Sequence, residues 1–357
     1  MAERRTGLVF DERCVRHDPP GGWPAGAQPD WAPIPAFERP ERLTETWRVL
    51  EGSGVLAAVT ELAPRFATED ELRLAHTDAH VAAVLAAVTS GERMEVGDGS
   101  WTGPGTHAAM LLAAGGLLRA VEAVLDGELD NAFVLLRPPG HHAERDAAMG
   151  FCLVNNIAIA ARWAQRERGV ARVAIVDWDV HHGNGTEEIF LDDPAVLTVS
   201  LHQDGLYPEH TGALDVEGAV NVPLPAGTGD AGYALAFDAV VAPVVRRFAP
   251  DLILVAAGQD ASATDPLGRM SITVPGFRAL ADRAVALAGE LCGGRLVAML
   301  EGGYSLLHLP LANLAILEGL AGLPASFTDD PVGVDAPRSL RDVEQAAVDA
   351  AVRTHLG

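Results

Sequence analysis

Cysteine, basic side chains and long apolar runs are all scarce in this chain of 357 residues. The three cysteines, Cys14, Cys152 and Cys292, are odd in number and widely spaced, which argues against a disulfide framework and a cysteine-rich zinc site. So few cysteines suit a reducing compartment. No apolar run approaches the roughly 20 residues of a membrane-spanning helix, and residues 1–7 lack the apolar stretch of a signal peptide. We therefore expect a cytoplasmic protein that makes no contact with a membrane.

Basic residues are outnumbered, because 49 Asp and Glu stand against 26 Lys and Arg and give a formal net charge of -23. Such a surface repels the phosphates of nucleic acids, so we expect no DNA or RNA partner. It would attract cationic molecules such as lysine-rich peptides or polyamines. Acidity can equally serve solubility alone.

Short apolar segments alternate with amphipathic ones along most of the chain. Nearly continuous apolar runs predict strands that are buried on both faces of a sheet. Thr68 and Glu71 have the spacing of a capping box, which predicts the start of a helix. Strands that alternate with helices indicate an α/β fold with a mostly parallel central sheet and helices on both faces. The predicted strands are 132–136, 173–177, 196–201, 252–256 and 296–300, and the predicted helices are 40–50, 69–76, 78–88, 107–125, 156–166, 232–248, 276–291 and 309–320.

We expect a single domain over residues 1–357, since this length is within the range of one large α/β unit. Residues 19–40 are rich in Pro, Gly and Trp and predict an N-terminal loop. Residues 324–357 predict a C-terminal extension whose last part, 339–355, is amphipathic.

Polar residues collect after the predicted strands, at the carboxyl ends where sites in such folds lie. In IVDWDVHHGNG (175–185), alternation along an extended segment brings Asp177, Asp179 and His181 to one side. Carboxylate and imidazole are zinc ligands, and catalytic zinc sites typically use three protein ligands. The third should be a carboxylate from another strand end. Asp265 is the best candidate, and Asp260 is the competitor, which could instead orient the loop.

Two further segments carry candidate catalytic side chains. In RPPGHHAERDAAMGF (137–151), the adjacent His141 and His142 are poor chelators but suit an acid/base pair beside a metal. Asp177 and Asn184 are available to fix their tautomers. In EGGYS (301–305), Tyr304 follows two glycines, and its hydroxyl could donate to a developing oxyanion.

Taken together, these segments resemble the histone deacetylase family, and specifically the bacterial histone-deacetylase-like amidohydrolases close to the class II enzymes, which are relatives of the acetylpolyamine amidohydrolases. They stand in the family's order and place the core at about residues 95–320. The resemblance implies an arginase/deacetylase-like domain and zinc-dependent hydrolysis of acyl amides. The segments are RPPGHHAERDAAMGFC (137–152), VDWDVHHGNGT (176–186), TVSLHQ (198–203), YPEHTG (207–212), NVPLPAGTGD (221–230), AAGQDASATDPLGRM (256–270) and LEGGYS (300–305).

The resemblance also implies a role for each matching residue. Zinc would be bound by Asp179, His181 and Asp265. The catalytic group would comprise Tyr304 and two pairs, His141 with Asp177 and His142 with Asn184. The walls of the substrate tunnel would be Phe151 and Tyr207 beside Gly150, with Asp98 at the rim. Potassium would be held by Asp177, Asp179, His181, Ser200 and Leu201.

One departure from the family concerns the loop between Gly212 and Asn221, which reads ALDVEGAV and is shorter than usual. A second potassium site borders this loop in the family and is left unassigned here.

The expected reaction is hydrolysis of an N-acetyl or other short acyl amide, with acetyl-lysine in a peptide or protein as the favoured substrate. After Asp265 the chain reads DPLGRMSIT, so Leu267 and Ile272 offer an apolar wall and Arg269 a cation, with no carboxylate for a second positive charge. The alternatives are an acetylpolyamine deacetylase, with Glu209 as a selector, a weakly active protein that binds acyl-lysine, and a dinuclear manganese ureohydrolase of the arginase fold. A homo-oligomer is left open.

Overall fold

The computed structural model describes residues 4–20, 35–334 and 339–357. Residues 21–34 of the predicted N-terminal loop and residues 335–338 of the predicted extension lie outside these ranges. Within them, eight strands form one sheet in which every pair is parallel, in the order β2-β1-β5-β10-β9-β6-β7-β8. The strands are β1 (Thr6–Val9), β2 (Thr60–Leu62), β5 (Asn131–Val134), β6 (Val173–Asp177), β7 (Val196–Gln203), β8 (Val220–Leu224), β9 (Leu252–Ala257) and β10 (Leu296–Leu300), and a separate antiparallel pair is formed by β3 (Glu95–Gly97) and β4 (Ser100–Trp101).

Helices connect and cover the strands. The capping box is present, because Thr68 Oγ1 accepts from the Glu71 N–H at 3.2 Å and a Glu71 carboxylate oxygen accepts from the Thr68 N–H at 2.8 Å. The helices are α1 (Glu41–Ser53), α2 (Glu69–Leu72), α3 (Asp78–Ser90), α4 (Thr106–Leu125), α5 (Asn156–Arg168), α6 (Asn184–Phe190), α7 (Asp230–Ala236), α8 (Ala242–Phe248), α9 (Val274–Leu291), α10 (Leu309–Ala321) and α11 (Asp342–Leu356), and a π-helical turn, Phe237–Val241, joins α7 to α8.

Helix α4 is long and apolar enough to cross a membrane, which the sequence analysis did not anticipate. However, 72% of its most apolar stretch is buried inside the protein. Its glycines explain the depth of packing: a Cβ at Gly115 would lie 2.1 Å from the Arg65 carbonyl oxygen, and one at Gly116 would lie 2.4 Å from Leu136 Cδ1. This is the packing of a central core helix.

The predicted parallel α/β fold is confirmed, and β6 and β10 have the predicted bounds. Strands β1, β2 and β8 and helix α6 were not predicted, since they are short and most are polar or lie at an edge. Strand β8 contains Pro223 and lies at the edge of the sheet, where a missing N–H is tolerated. The helix predicted over 69–76 ends at Leu72, and the side chain of His76 instead bonds to the Glu144 carbonyl oxygen at 2.9 Å.

The order of the sheet positions the candidate site. Strands β5, β10, β9 and β6 are consecutive neighbours, although β5 and β10 are far apart in sequence. Because all are parallel, the loops after their carboxyl ends meet along one edge. These loops carry the tandem histidines, the EGGYS segment, the candidate third ligand and the Asp-x-Asp-x-His segment, respectively.

Candidate active site

A buried Asp–His–Asp group lies where β6, β9 and β10 end. It consists of Asp179, His181 and Asp260, which offer ligand atoms that all lie within 4.8 Å of one another. Nδ1 of His181 is 3.0 Å from Asp179 Oδ1 and 3.2 Å from Asp260 Oδ2. Burial would lower the pKa of His181, but the two carboxylates outweigh it and raise the pKa to about 10, so the group as a whole attracts positive charge.

The glycines around this group indicate that the carboxylates converge on one point. A Cβ at Gly302 would lie 1.9 Å from Asp260 Oδ2 and 2.5 Å from Asp179 Oδ2. Among the described residues, the buried Asp260 Oδ2 accepts no hydrogen bond of good geometry, and its contact with Nδ1 of His181 is 3.2 Å long. Two buried carboxylates this close are stable as anions only with positive charge beside them, which a metal ion would supply. The residues therefore fit a metal ion.

Asp265, predicted as the third ligand, is buried beside this group but is not one of the three. Its carboxylate accepts from the N–H groups of Tyr304 at 2.6 Å and Leu267 at 2.9 Å. Burial and the charge of Asp260 raise the pKa of Asp265 to about 7. The competitor Asp260 also accepts from the Val180 N–H at 2.9 Å. The identity of the third ligand stays a prediction, with both aspartates adjacent to the site.

The tandem histidines lie beside the Asp–His–Asp group with ring centroids 4.0 Å apart. Nδ1 of His141 is 2.9 Å from Asp177 Oδ2, and Nδ1 of His142 is 2.8 Å from Asn184 Oδ1, so each histidine lies next to the partner expected for it. Burial opposes the charging of both rings. For His141 the charges of Asp179 and Asp177 prevail and raise the pKa to about 10.

The surroundings of the second ring shift its pKa in the opposite direction. Burial, followed by the positive charge of His141, holds the pKa of His142 well below its usual range. The surroundings therefore favour the charged form of His141 and the neutral form of His142. The neutral His142 donates through Nδ1 to Asn184, which leaves its Nε2 free to accept a proton.

His142, His181 and Tyr304 open on one cavity of about 320 Å³ whose remaining walls are mostly apolar. The wall at Gly150 must be glycine, since a Cβ there would lie 2.3 Å from the His142 ring. The Tyr304 ring packs under the Arg42 guanidinium, whose central carbon is 4.9 Å from the ring centroid. The other lining residues are Phe37, Phe151, Leu206, Tyr207 and Leu267. Ile272, predicted as part of this wall, is fully buried in the core instead.

The predicted rim residue Asp98 is exposed next to this cavity. The Tyr207 hydroxyl donates to Asp98 Oδ2 at 3.1 Å, and the Gly150 N–H donates to the Asp98 carbonyl oxygen at 2.8 Å. These bonds join the rim to two walls of the cavity.

The residues expected to hold potassium lie behind the metal group. Asp177 on β6 pairs in register with Ser200 on β7, and Leu201 is fully buried. Asp177 and Ser200 border a space of about 10 Å³.

Sequence reasoning missed Phe37, Arg42, Leu206 and a role for Glu301. The first three carried no signal, because nothing in the sequence places a loop phenylalanine, a helical arginine or a loop leucine near distant strand ends. Glu301 stood in a recognised motif, in which only Tyr304 was assigned.

The fold and site agree with what this chain resembles. A family described as the histone deacetylase domain matches residues 36–320. A probable deacetylase of Archaeoglobus fulgidus is 40% identical over 335 residues, covering 91% of this chain and 89% of the relative. A histone deacetylase-like amidohydrolase of Pseudomonas aeruginosa is 42% identical over 342 residues, covering 91% and 88%.

Comparison with a solved structure indicates the same family. The crystal structure of the HDA15 HD domain superposes with a TM-score of 0.86 at 35% identity, covering 99% of this chain and 94% of that one. The chain therefore belongs to the histone deacetylase family of hydrolases.

Proposed function

We propose that the protein is a zinc-dependent deacylase that removes acetyl or other short acyl groups from lysine side chains. The main observation behind this proposal is that three elements of the site open onto the same apolar cavity. These elements are a buried Asp–His–Asp group, the tandem histidines with their Asp177 and Asn184 partners, and Tyr304.

The geometry supports a defined task for each residue. Asp179, His181 and a third aspartate would hold a zinc ion, which would supply Lewis acidity for the scissile carbonyl and for the attacking water. His142 takes the proton of that water through Nε2 and returns it to the departing amine. The charged His141, fixed by Asp177, stabilises the negative charge that develops nearby. Tyr304 donates a hydrogen bond from its hydroxyl to the carbonyl oxygen as that oxygen becomes negative.

The lining of the cavity favours acyl-lysine over an acetylated polyamine. The methylene chain of lysine suits walls built from Phe151, Tyr207 and Leu267. A polyamine carries further positive charges that need carboxylates, and none of the residues lining this cavity is acidic. Asp98 at the rim is suited to accept the backbone N–H of a peptide, which a polyamine lacks.

We further propose a potassium ion between β6 and β7, with Asp177, Asp179, His181, Ser200 and Leu201 as its ligands. The register pairing of Asp177 with Ser200 and the small space beside them support this placement. Roughly 10–15 Å³ of such volume accommodates one water-sized particle.

The test compares kcat/KM of the zinc-loaded protein for an acetyl-lysine peptide, N-acetylputrescine and N8-acetylspermidine. Released acetate, measured in a coupled assay, reports all three reactions, because both acetylated polyamines already carry free amines that an amine-reactive fluorophore would label. We expect the peptide to be preferred. A polyamine preference of about tenfold or more, lost in Glu209→Gln, would overturn the substrate assignment.

Asp98→Asn provides the matched variant for this test. It keeps the size of the side chain and the bond to Tyr207 can persist, but the acceptor for a peptide N–H is weakened. Its kcat/KM should fall for the peptide and stay unchanged for the small acetylated amines. An equal fall for all substrates would remove Asp98 from peptide recognition.

A further inference from the structure

The segment Glu301–Ser305 bonds to each part of the site, although only Tyr304 has a task in the mechanism. The Gly302 N–H donates to Asp179 Oδ2 at 2.7 Å. The N–H groups of Tyr304 and Ser305 donate to Asp265 Oδ2 at 2.6 and 3.2 Å. The segment thus helps to fix the positions of the Asp179 and Asp265 carboxylates.

The side chain of Glu301 also hydrogen-bonds to the loop that carries the histidine pair. It is fully buried, and its Oε2 accepts from the Gly140 N–H at 2.6 Å and the His141 N–H at 3.1 Å. Gly140 and His141 belong to the loop after β5, whereas Glu301 directly follows β10, so the carboxylate joins two neighbouring strand ends. The other oxygen, Oε1, has no hydrogen-bond partner among the described residues.

Glu301 is itself held from the opposite side. Its carbonyl oxygen accepts from Nη2 of Arg42, and Nε of the same guanidinium donates to the Gly303 carbonyl oxygen at 2.7 Å. The backbone on both sides of Gly302 is therefore fixed before the carboxylate reaches the β5 loop. A rigid support of this kind is what a catalytic pair needs, since misplacement by about 1 Å can lower a rate by roughly 10²-fold.

We infer that Glu301 is the positioning residue of the tandem histidines, acting through the reach of its carboxylate to the backbone of Gly140 and His141. This inference rests on the proposed deacylase function. It assigns Glu301 no contact with substrate or metal, and it explains the presence of a buried carboxylate that forms no ion pair with the described residues.

Two conservative variants distinguish the effect of the length of the Glu301 side chain from the effect of its charge. Both hydrogen bonds go to one oxygen, so Glu301→Gln can reproduce them with its amide oxygen while its NH2 replaces the unpartnered Oε1. Glu301→Asp keeps the charge but is one methylene shorter, by about 1.5 Å, and cannot make both bonds.

We expect Glu301→Asp to lower kcat by roughly 10- to 100-fold with KM and zinc content unchanged. Glu301→Gln should lower kcat by less than about threefold. The reverse pattern, an active Asp variant and an impaired Gln variant, would mean that charge matters rather than reach and would overturn the inference. Equal kcat values in both variants and the wild type would overturn it too.

Hydrogen–deuterium exchange gives a readout that does not depend on activity. Amide exchange in a peptide spanning Gly140 and His141 should accelerate in Glu301→Asp and stay near the wild-type rate in Glu301→Gln. Unchanged exchange in the Asp variant would contradict the inference even if the wild type proved inactive as a deacylase. The failure of the proposed function and the failure of this inference are thereby distinguishable.

Glu344→Asp is the matched control, because Glu344 is also a buried glutamate that accepts a backbone N–H, that of Arg341 at 2.8 Å. It caps α11 and does not line the cavity. Shortening it should lower the melting temperature without changing kcat. A loss of kcat in this control as large as that in Glu301→Asp would reduce the effect at Glu301 to general destabilisation and overturn the inference.

Discussion

Two buried clusters of charged side chains lie next to each other in this protein, and they balance their charges in opposite ways. The arginine–glutamate network comprises His17, Glu38, Arg42 and Arg137, all nearly inaccessible to solvent. The acidic cluster comprises Asp177, Asp179, Asp260 and Asp265 at the carboxyl ends of the strands, buried to a similar degree.

The arginine–glutamate network is satisfied by the protein alone. Arg137 binds Glu38 through two parallel bonds of 2.6 Å, and Arg42 adds a third at 3.1 Å. The remaining guanidinium N–H groups donate to backbone carbonyl oxygens, which include those of Cys14 and His17. Burial opposes ionisation of Glu38, but Arg137 prevails and holds the pKa of Glu38 well below its usual range.

The acidic cluster is not satisfied by the protein alone. No arginine side chain forms an ion pair with any of its four carboxylates in the described part of the chain, and only histidines do so. Burial raises the pKa of Asp177, Asp260 and Asp265, since in each case it outweighs the opposing hydrogen bonds. Equal burial therefore yields a structural network where charges are paired and a candidate metal site where they are not.

Among substitutions in the two clusters, loss of a metal ligand should have the largest effect, because it should remove both zinc and activity. Asp179→Ala and Asp265→Ala should each lose stoichiometric zinc, measured by elemental analysis, and lose deacylase activity, because too few ligands remain for a catalytic site. Glu38→Gln should keep its zinc. If Asp260→Ala loses zinc and Asp265→Ala retains it, the third ligand is Asp260 and our assignment is wrong.

Breaking the satisfied network should reduce stability instead of activity. Glu38→Gln leaves two buried guanidinium groups short of their counter-charge, which typically lowers the free energy of unfolding by about 3–5 kcal/mol. Denaturant unfolding measures this change. Glu290→Gln is the control, since its pair with Arg246 is about half exposed on both sides, and its stability should match the wild type. Equal stability of all three proteins would refute the proposed contrast.

Tyr304 lies between the two clusters, with the ring against Arg42 and the backbone N–H on Asp265. Tyr304→Phe should lower kcat by roughly 10²–10³-fold, or about 2.7–4 kcal/mol of activation free energy. KM and zinc content should be unchanged, because the hydroxyl acts mainly in the transition state. Steady-state kinetics decide this, and an unaltered kcat would exclude the hydroxyl from the reaction.

The smallest effect expected is a pH dependence of stability. Since the pKa of Glu38 is depressed in the folded state, its contribution is present above the unfolded value of about 4.5 and is lost as the pH falls through the folded value. The stability difference between wild type and Glu38→Gln should therefore be constant at neutral pH and narrow in acid. Unfolding midpoints from pH 7 downward measure it, and a difference that widens in acid would contradict the assigned charge state.

Strands β6 and β10 could be predicted from the sequence because each is a continuous apolar run that ends abruptly in polar residues. The short edge strands β2 and β8 could not, since three residues with a central glutamate, or five with a proline, have no distinctive period. Among site residues, His141, His142 and Tyr304 stood in recognisable motifs. Phe37 and Arg42 did not, because their importance arises only from contacts with residues more than 100 positions away.

The sequence by itself determined the α/β class, the family resemblance and the inventory of acids, histidines and tyrosine, since apolar periodicity and short motifs are local properties. Only the tertiary structure decided that Asp260 lies with Asp179 and His181, that Arg42 packs on Tyr304, and that Glu301 binds the backbone of His141. Those contacts depend on strand order. Strands β5, β9 and β10 become neighbours only when the sheet assembles, and no local pattern encodes which loops then share one edge.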